Sequence, residues 1–290
     1  MGERFEDGFA GFVAVVTGGG TGMGRELVRQ LAADGCDVAM CDVIEANLAE
    51  TAAMCRADGS TGSVMSALAD VSDEAQVLAF RDAVAAWRPA VNLLFNNAGI
   101  SGGGSIVTGD RDQWDKTFGV CWNGVYFNTR AFMPLLMAAE CGHVVNTSSV
   151  NGFWASLGPD MPHTAYSSAK FAVKGFTEAL ITDFRQNAPH LRASVVMPGH
   201  IGTSIAINSI RLHSPDPDDI DPGMMAFGEA FRDNAPMSSA DAAAVILDGV
   251  RHGEWRILVG DDAHHLDAMV RLHPTEAYET DFVGRLGSLG

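Results

Sequence analysis

The stretch Thr17-Gly18-Gly19-Gly20-Thr21-Gly22-Met23-Gly24 decides the fold. It follows the apolar run Phe12 to Thr17 and leads into the amphipathic stretch Gly22 to Asp34. A glycine-rich turn between a buried strand and a helix lets backbone N–H groups approach a pyrophosphate at the helix N-terminus. A strict GxGxxG does not fit here. Laid from Gly18, Gly20 or Gly22, its third glycine falls on Met23, Arg25 or Leu27. The spacing is instead TGxxxGxG, and Gly18, Thr21, Gly22, Met23 and Gly24 are the candidate ligand-facing residues. A P-loop is excluded, because the chain has no Gly-Lys dipeptide.

Working outward, the same strand-then-helix rhythm continues almost to the end. Asp37 to Cys41, Ser63 to Leu68, Val91 to Phe95, His143 to Thr147, Ala193 to Met197 and Arg256 to Val259 read as further strands. Most are continuous apolar runs, which suits strands covered on both faces. Helical spacing occupies Ile44 to Ala57, Asp73 to Trp87, Arg111 to Glu140, Ala165 to Asn187 and Ser238 to His252. This alternation predicts a single Rossmann-like, doubly wound α/β domain over residues 1–290, with a central parallel sheet of about seven strands and helices on both faces. Two segments break the rhythm. Residues 204–236 carry Pro215, Pro217, Pro222 and Pro236 with Asp216, Asp218, Asp219 and Asp221 and read as a long substrate loop. Residues 261–290 form a C-terminal extension whose Leu266, Met269, Val270, Leu272, Tyr278, Phe282 and Leu286 need an apolar surface to cover.

Asp42 ends the second strand, 24 residues after Gly18. A carboxylate there accepts hydrogen bonds from the adenosine ribose hydroxyls of NAD and faces the extra phosphate of NADP. At about 5 Å and an effective dielectric near 20, each phosphate charge costs roughly 3 kcal/mol, or about two decades of affinity. Neither Thr21 nor Val43 offers a compensating cation, so NAD is the expected cofactor. Charge sets further limits: 36 acidic against 19 basic residues give a net charge of −17. So negative a chain repels phosphate backbones and anionic lipid, which excludes nucleic acid and the membrane surface as partners. The acidic, Gly-rich Met1 to Gly11 is no secretory signal. Five cysteines without a CxxC pair read as buried thiols in a reducing cytoplasm. No HExxH, Cys/His zinc spacing or GxSxG elbow occurs, so no metal site and no serine hydrolase are expected.

The chain has only three tyrosines and three lysines, yet Tyr166 and Lys170 stand at i and i+4. On a helix they share a face, about 6 Å apart along the axis. An ammonium beside a phenol favours phenolate, so Tyr166 is expected to have a lowered pKa and to serve as acid or base near neutrality.

Together these motifs resemble the short-chain dehydrogenase/reductase family, in its ordinary-length branch. The resemblance runs from Gly11 to Gly260 through Thr17 to Gly24, Asp42, Asp70-Val71, Asn96-Asn97-Ala98-Gly99, Asn123, Ser148-Ser149, Tyr166 with Lys170, and Pro198-Gly199 with Thr203. It implies roles for these residues. Asp70 and Val71 sit by the adenine, and Asn97, Ala98 and Gly99 support the cofactor. Ser149 binds the reacting oxygen, Tyr166 exchanges the proton, Lys170 binds the nicotinamide ribose and tunes Tyr166, and Asn123 holds a water of the proton relay. Pro198, Gly199, Ile201 and Thr203 face the nicotinamide end. The resemblance also implies a homotetramer.

One departure is the gap of 17 residues from Ser149 to Tyr166, longer than the family's usual spacing. The surplus falls in Trp154 to His163 and should reshape a wall of the substrate pocket. His163, in a loop beside Pro162, is expected to be solvated, as is the pair His264-His265. The reading is an NAD-dependent oxidoreductase interconverting a secondary alcohol and a ketone on a partly apolar small molecule. Met224, Met225, Phe227 and Phe231 are candidate pocket residues. An NAD-retaining lyase or epimerase of the same fold, or a non-catalytic NAD-binding sensor, stands as the alternative. The tail is expected near an active-site mouth, covering its own domain or a neighbour's.

Overall fold

Seven parallel strands in the order β3-β2-β1-β4-β5-β6-β9 make the central sheet of the computed structural model, which describes residues 5–214, 216, 220–282 and 284. In chain order the first half runs β1 (Val13–Thr17), α1 (Gly22–Ala33), β2 (Asp37–Asp42), α2 (Glu45–Ala57), β3 (Val64–Leu68), α3 (Glu74–Trp87), β4 (Leu93–Asn96), α4 (Arg111–Phe118), α5 (Gly124–Met137) and β5 (Gly142–Thr147). The second half runs α6 (Thr164–Asn187), β6 (Leu191–Pro198), β7 (Ile201–Gly202), α7 (Ile205–His213), α8 (Pro222–Asp233), β8 (Met237–Ser238), α9 (Ser239–Arg251), β9 (Arg256–Val259) and α10 (Asp261–Leu272). The seven strands expected from the apolar runs are those of this sheet.

Side chains of successive strand residues point to opposite faces. Ala14 and Val16 accordingly join Leu27, Leu31 and Ile246 in one apolar layer, while Val15 joins Phe80, Phe132 and Leu136 in the other. Each fully buried side chain of that size contributes roughly 1.5–3 kcal/mol. Both faces are covered, which is why the strands read as unbroken apolar runs. Helix starts carry their signals too. Asp73 accepts from the Ala75 and Gln76 amides at the head of α3, and Asp110 caps α4 in the same way.

The strand order reverses between β1 and β4, so a crevice opens at their carboxyl ends. Thr17 ties the two ends together. Its hydroxyl accepts from the Asn97 and Ala98 amides, each at 3.0 Å. Asn97 Nδ2 returns a bond to the Thr17 carbonyl at 3.1 Å.

Two expectations need correction. The single helix expected over Arg111 to Glu140 is two helices joined by a π-helical turn, Gly119–Asn123. Extra-wide turns of this kind recur at functional sites. Residues 204–236 are not a plain loop. They fold into α7 and α8, and the short parallel pair β7–β8 closes the base of the excursion. Pro215, Pro217, Asp218 and Asp219 lie outside the described residues.

The tail packs on its own chain. Leu266, Met269, Ala277 and Phe282 form a small apolar cluster with Trp154, while Leu272 and Tyr278 stay exposed. Leu286 lies outside the described residues. The four buried cysteines and the half-buried Cys141 are free thiols. Among the described residues no helix is long and apolar enough to cross a membrane, and no group of three His, Cys, Asp or Glu could hold a metal ion.

Candidate active site

A cleft of about 260 Å³ occupies the crevice between β1 and β4. The glycine turn forms its floor through Gly18, Thr21, Gly22 and Met23. Gly18 adopts φ +67°, and a Cβ there would meet the Ala98 backbone at 2.9 Å. Gly24 lies beneath the turn, where a Cβ would run into the Gly18 carbonyl oxygen. Its place is close helix–strand packing rather than the cleft wall. Thr21, the N-cap residue of α1, makes no side-chain capping bond. The first amides of α1 therefore stand at the cleft as an anion site.

Asp42, Asp70, Val71, Asn97, Ala98, Gly99 and Thr203 also line the cleft. Asp42 Oδ2 accepts from the Gly20 amide at 3.0 Å and Oδ1 from the Ile44 amide at 3.1 Å. Burial pushes the Asp42 pKa up, against the pull of these amides. A cation does stand near Asp42. Arg25 donates to the Gly20 carbonyl at 2.9 and 2.6 Å and pairs with Glu50. Arg25 directly follows Gly24, 17 residues before Asp42 in the sequence, so only the fold shows the cation beside the acid. Asn97 Oδ1 is a buried acceptor without a hydrogen-bond partner among the described residues. An unpaired acceptor, an uncapped helix start and a strand-end carboxylate fit the phosphates and ribose of a dinucleotide.

Other lining residues were not foreseen. Lys116 of α4 and Ser204, Ile205, Asn208 and Leu212 at α7 close the open side. Asn208 Nδ2 reaches Thr21 Oγ1 at 3.3 Å, and Lys116 Nζ donates to the Leu212 carbonyl at 2.7 Å. Nothing in the proline-rich pattern of 204–236 marks a helix facing the cleft. Pro198, Gly199 and Ile201 do not line it. The Gly199 amide donates to the Val259 carbonyl at 2.9 Å, and Ile201 is buried in the core. Of the four apolar residues expected at a pocket, Met224 and Phe227 are exposed, while Phe231 packs on His200 with ring centroids 4.2 Å apart.

Past Gly99 the cleft meets the Tyr166 helix. A Cβ on Gly99 would lie 3.5 Å from Lys170 Nζ and 3.8 Å from Cys121 Sγ. The Lys170 ammonium stands 5.3 Å from the Tyr166 ring centroid and donates to the Thr147 carbonyl at 2.8 Å. Ser149 stands close enough to the Tyr166 hydroxyl to oppose the effect of burial on its pKa. The neighbouring serines divide their work: Ser148 Oγ donates to the Lys170 carbonyl at 2.8 Å and pins α6 to the end of β5. Asn123 closes the π-helical turn, which packs on α6.

The expected lowering of the Tyr166 pKa is reversed. Burial pushes it above the ordinary tyrosine range, with the nearby Cys121 acting in the same direction and Ser149 opposing. Burial likewise lowers the Lys170 pKa. Desolvation disfavours both charged forms and outweighs the mutual benefit of the pair. His163 also departs from expectation. It is 9% exposed, and its ring lies 4.7 Å from that of Tyr166 at 63°. The reason is local: α6 begins at Thr164, whose hydroxyl is fastened to the Gly103 and Gly104 carbonyls. His163 is thereby held one turn before Tyr166. His264 and His265 are exposed, as expected.

The family model for short chain dehydrogenase matches residues 12–211. The SadH protein of Mycobacterium tuberculosis is 35% identical over 265 residues, covering 91% of each chain. Levodione reductase of Leifsonia aquatica is 28% identical over 270 residues, 90% of this chain and 92% of its own. A short-chain dehydrogenase/reductase from Burkholderia phymatum, solved with NAD, superposes with a TM-score of 0.80 at 30% identity, covering 92% of this chain and 94% of its own. Similar structures are solved with NAD and with NADP. The chain therefore belongs to the short-chain dehydrogenase/reductase family and is a nicotinamide-dependent oxidoreductase.

Proposed function

We propose that the protein is an NAD-dependent enzyme that interconverts a secondary alcohol and a ketone on a partly apolar small molecule. The observation that carries this reading is the convergence of Ser149, Tyr166 and Lys170 at the Gly99 end of the cleft. The similarity to levodione reductase supports a reductase. The glycine turn, Asp42, Asp70, Val71 and Asn97 to Gly99 would hold the cofactor, with Thr203 at its nicotinamide end. The bound nicotinamide supplies the hydride donor or acceptor.

The protein's own part is position and proton transfer. Ser149 holds the substrate oxygen beside the Tyr166 hydroxyl. A phenol whose pKa is raised is fully protonated at neutral pH, so it carries the proton that the oxygen of a ketone takes up on reduction, and Lys170 offsets its weaker acidity. As the proton leaves, the Lys170 ammonium above the ring stabilises the phenolate that forms. In the oxidation direction the same atoms act in reverse, and one proton is released for each alcohol oxidised. Asn123, on the π-helical turn, holds the water that returns the proton.

In this reading the chain works as a homotetramer in a reducing cytoplasm. The half-exposed rings of Tyr126 on α5 and Phe171 on α6 offer apolar surface on the long helices for a second copy. Light scattering of a Tyr126→Glu, Phe171→Glu variant should report a smaller particle than the wild type. The deciding experiment for the activity is NADH fluorescence over a panel of ring and chain secondary alcohols. Formation of NADH with at least one of them is expected; silence across the panel with both NAD and NADP overturns the reading.

A further inference from the structure

Three residues of α6 and its cap lie along one helical stripe: His163, Tyr166 and Lys170, at i−3, i and i+4. Lys170 marks the cofactor end, because Gly99 of the cleft wall lies against its ammonium. His163 touches the Tyr166 ring from the opposite end. Like Tyr166 and Ser149, it lies outside the wall of the cofactor cleft. The surplus loop leads directly into it and is braced within itself and by the tail. Asn151 Nδ2 donates to the Trp154 and Ser156 carbonyls, and the Trp154 indole is tied to the tail.

His163 is only 9% exposed. Its backbone carbonyl accepts from the Ser167 amide at 3.1 Å, yet among the described residues neither ring nitrogen has a hydrogen-bond partner. Burial lowers its pKa to about 4. At neutral pH the ring is therefore uncharged, with one donor and one acceptor nitrogen. Neither nitrogen is among the buried polar atoms left unpaired in the fold, so the small exposed part of the ring includes them, and beside the reacting phenol a substrate oxygen can reach them.

We propose that His163 is a specificity-determining residue that hydrogen-bonds a second oxygen of the substrate, so that the preferred substrates carry a hydroxyl or carbonyl one or two carbons from the reacting carbon. This rests on the alcohol–ketone reading above. The spacing follows from the two rings. Hydrogen bonds of about 2.8 Å from the Tyr166 hydroxyl and from the imidazole can hold two oxygens only a few ångströms apart. Diols, hydroxyketones and diketones meet that condition, whereas simple alcohols leave the imidazole unpaired. A site built to bond an oxygen rejects the analogue lacking it far more strongly than a pocket rejects a missing methylene.

The test uses matched pairs: cyclohexanol with trans-cyclohexane-1,2-diol, and 2-octanol with 2,3-octanediol. Wild-type protein with NAD should show at least tenfold higher kcat/KM for the oxygenated member of a pair. His163→Leu should cut that ratio at least tenfold, and His163→Gln, which keeps a donor and an acceptor, should retain most of it. A ratio near one in the wild type, or a ratio unchanged in His163→Leu, overturns the proposal. A second measurement needs neither turnover nor a folded variant. With ¹⁵N-labelled histidine, the His163 ring resonances of the wild-type protein with NAD should move saturably on adding a diol and stay still with its mono-alcohol. Turnover with a flat ratio sinks the proposal alone, whereas no turnover with any alcohol sinks the alcohol–ketone reading. In the latter case a diol-specific ring shift still upholds the imidazole as an oxygen-binding group, and its absence removes it.

Discussion

The Trp154 indole donates a 2.7 Å hydrogen bond to the Ala277 carbonyl, fastening the C-terminal tail to the loop between Ser149 and Tyr166. A second bond beside it runs from the Ala155 amide to the Tyr278 hydroxyl at 3.1 Å. Earlier in the tail, Asp267 is gripped by Arg256 and Arg271. The tail is therefore a brace for the loop that ends in His163. Trp154→Phe should leave a buried carbonyl unpaired, at a cost of about 1–3 kcal/mol. We expect a lower thermal midpoint and a KM for the alcohol that rises more than the KM for NAD. Truncation after Gly260 should do the same more strongly, since it also uncovers Val150, Phe153 and Trp154. A still-folded truncated protein with unchanged substrate KM would show that the brace does not reach the site.

Asp42 sets the second prediction. Both of its oxygens are engaged by backbone amides, which fixes the carboxylate at the end of β2 beside the cleft. NAD should be preferred over NADP by at least tenfold in kcat/KM, and Asp42→Ala should narrow the gap by removing repulsion worth roughly 3 kcal/mol. Arg25 limits the change in the single variant, because its guanidinium stays committed to Gly20 and Glu50. Adding Glu50→Ala should free it toward the phosphate and raise NADP use further. Steady-state kinetics with both cofactors decide the matter; equal efficiency in the wild type removes Asp42 from that role.

The parts legible in the sequence were those governed by local rules. Apolar runs located all seven strands of the sheet, because both of its faces are covered. The glycine turn located the crevice, because close approach and left-handed φ leave few residue choices at Gly18 and Gly24. What was missed depends on long-range packing. The π-helical turn at Gly119–Asn123 has no period of its own to betray it within a helical stretch. α7 folds across the cleft through contacts with Thr21 and Lys116, nearly two hundred and about one hundred residues away. The pKa of Tyr166 was misjudged in sign because spacing reveals the ammonium four residues on but not the burial of both groups. His163 was misplaced for a similar reason: one residue more of helix turns a loop histidine into a buried one.

Tyr166→Phe tests the proton carrier. The ring keeps its contacts with His163 and Lys170 while the hydroxyl is lost. Turnover should fall to less than about a tenth of the wild-type kcat, with NADH binding by fluorescence changed little. The intact protein should also show a phenol that resists ionisation. Ultraviolet difference titration of the wild type against Tyr166→Phe should show the lost phenol ionising well above the ordinary tyrosine range. A difference that places the Tyr166 phenol at the ordinary value near 10 would contradict the burial argument.

The last prediction concerns His143, which is fully buried in β5 with Nε2 2.6 Å from Ser194 Oγ. Burial lowers its pKa from the usual 6.5 to about 3. The folded pKa lies below the unfolded one, so the fold favours the neutral ring. That contribution is complete above pH 6.5 and is lost as the pH falls from there toward 3, because the unfolded chain takes up a proton that the folded chain refuses. His163 adds the same behaviour between 6.5 and about 4. Asp37 and Asp267, whose pKa values lie below the usual 3.8, lose their contribution only at lower pH. Asp42, whose pKa burial raises, works the other way and partly offsets the histidines. Stability should therefore fall by roughly 1 kcal/mol per pH unit for each of these histidines between pH 6 and 5, and His213, whose pKa burial also lowers, adds to the slope. Urea unfolding at pH 7, 6 and 5 reads this slope directly. His143→Gln should lower overall stability through lost packing yet flatten the slope by close to one proton. A variant as pH-sensitive as the wild type would mean that His143 takes up its proton while the protein is still folded.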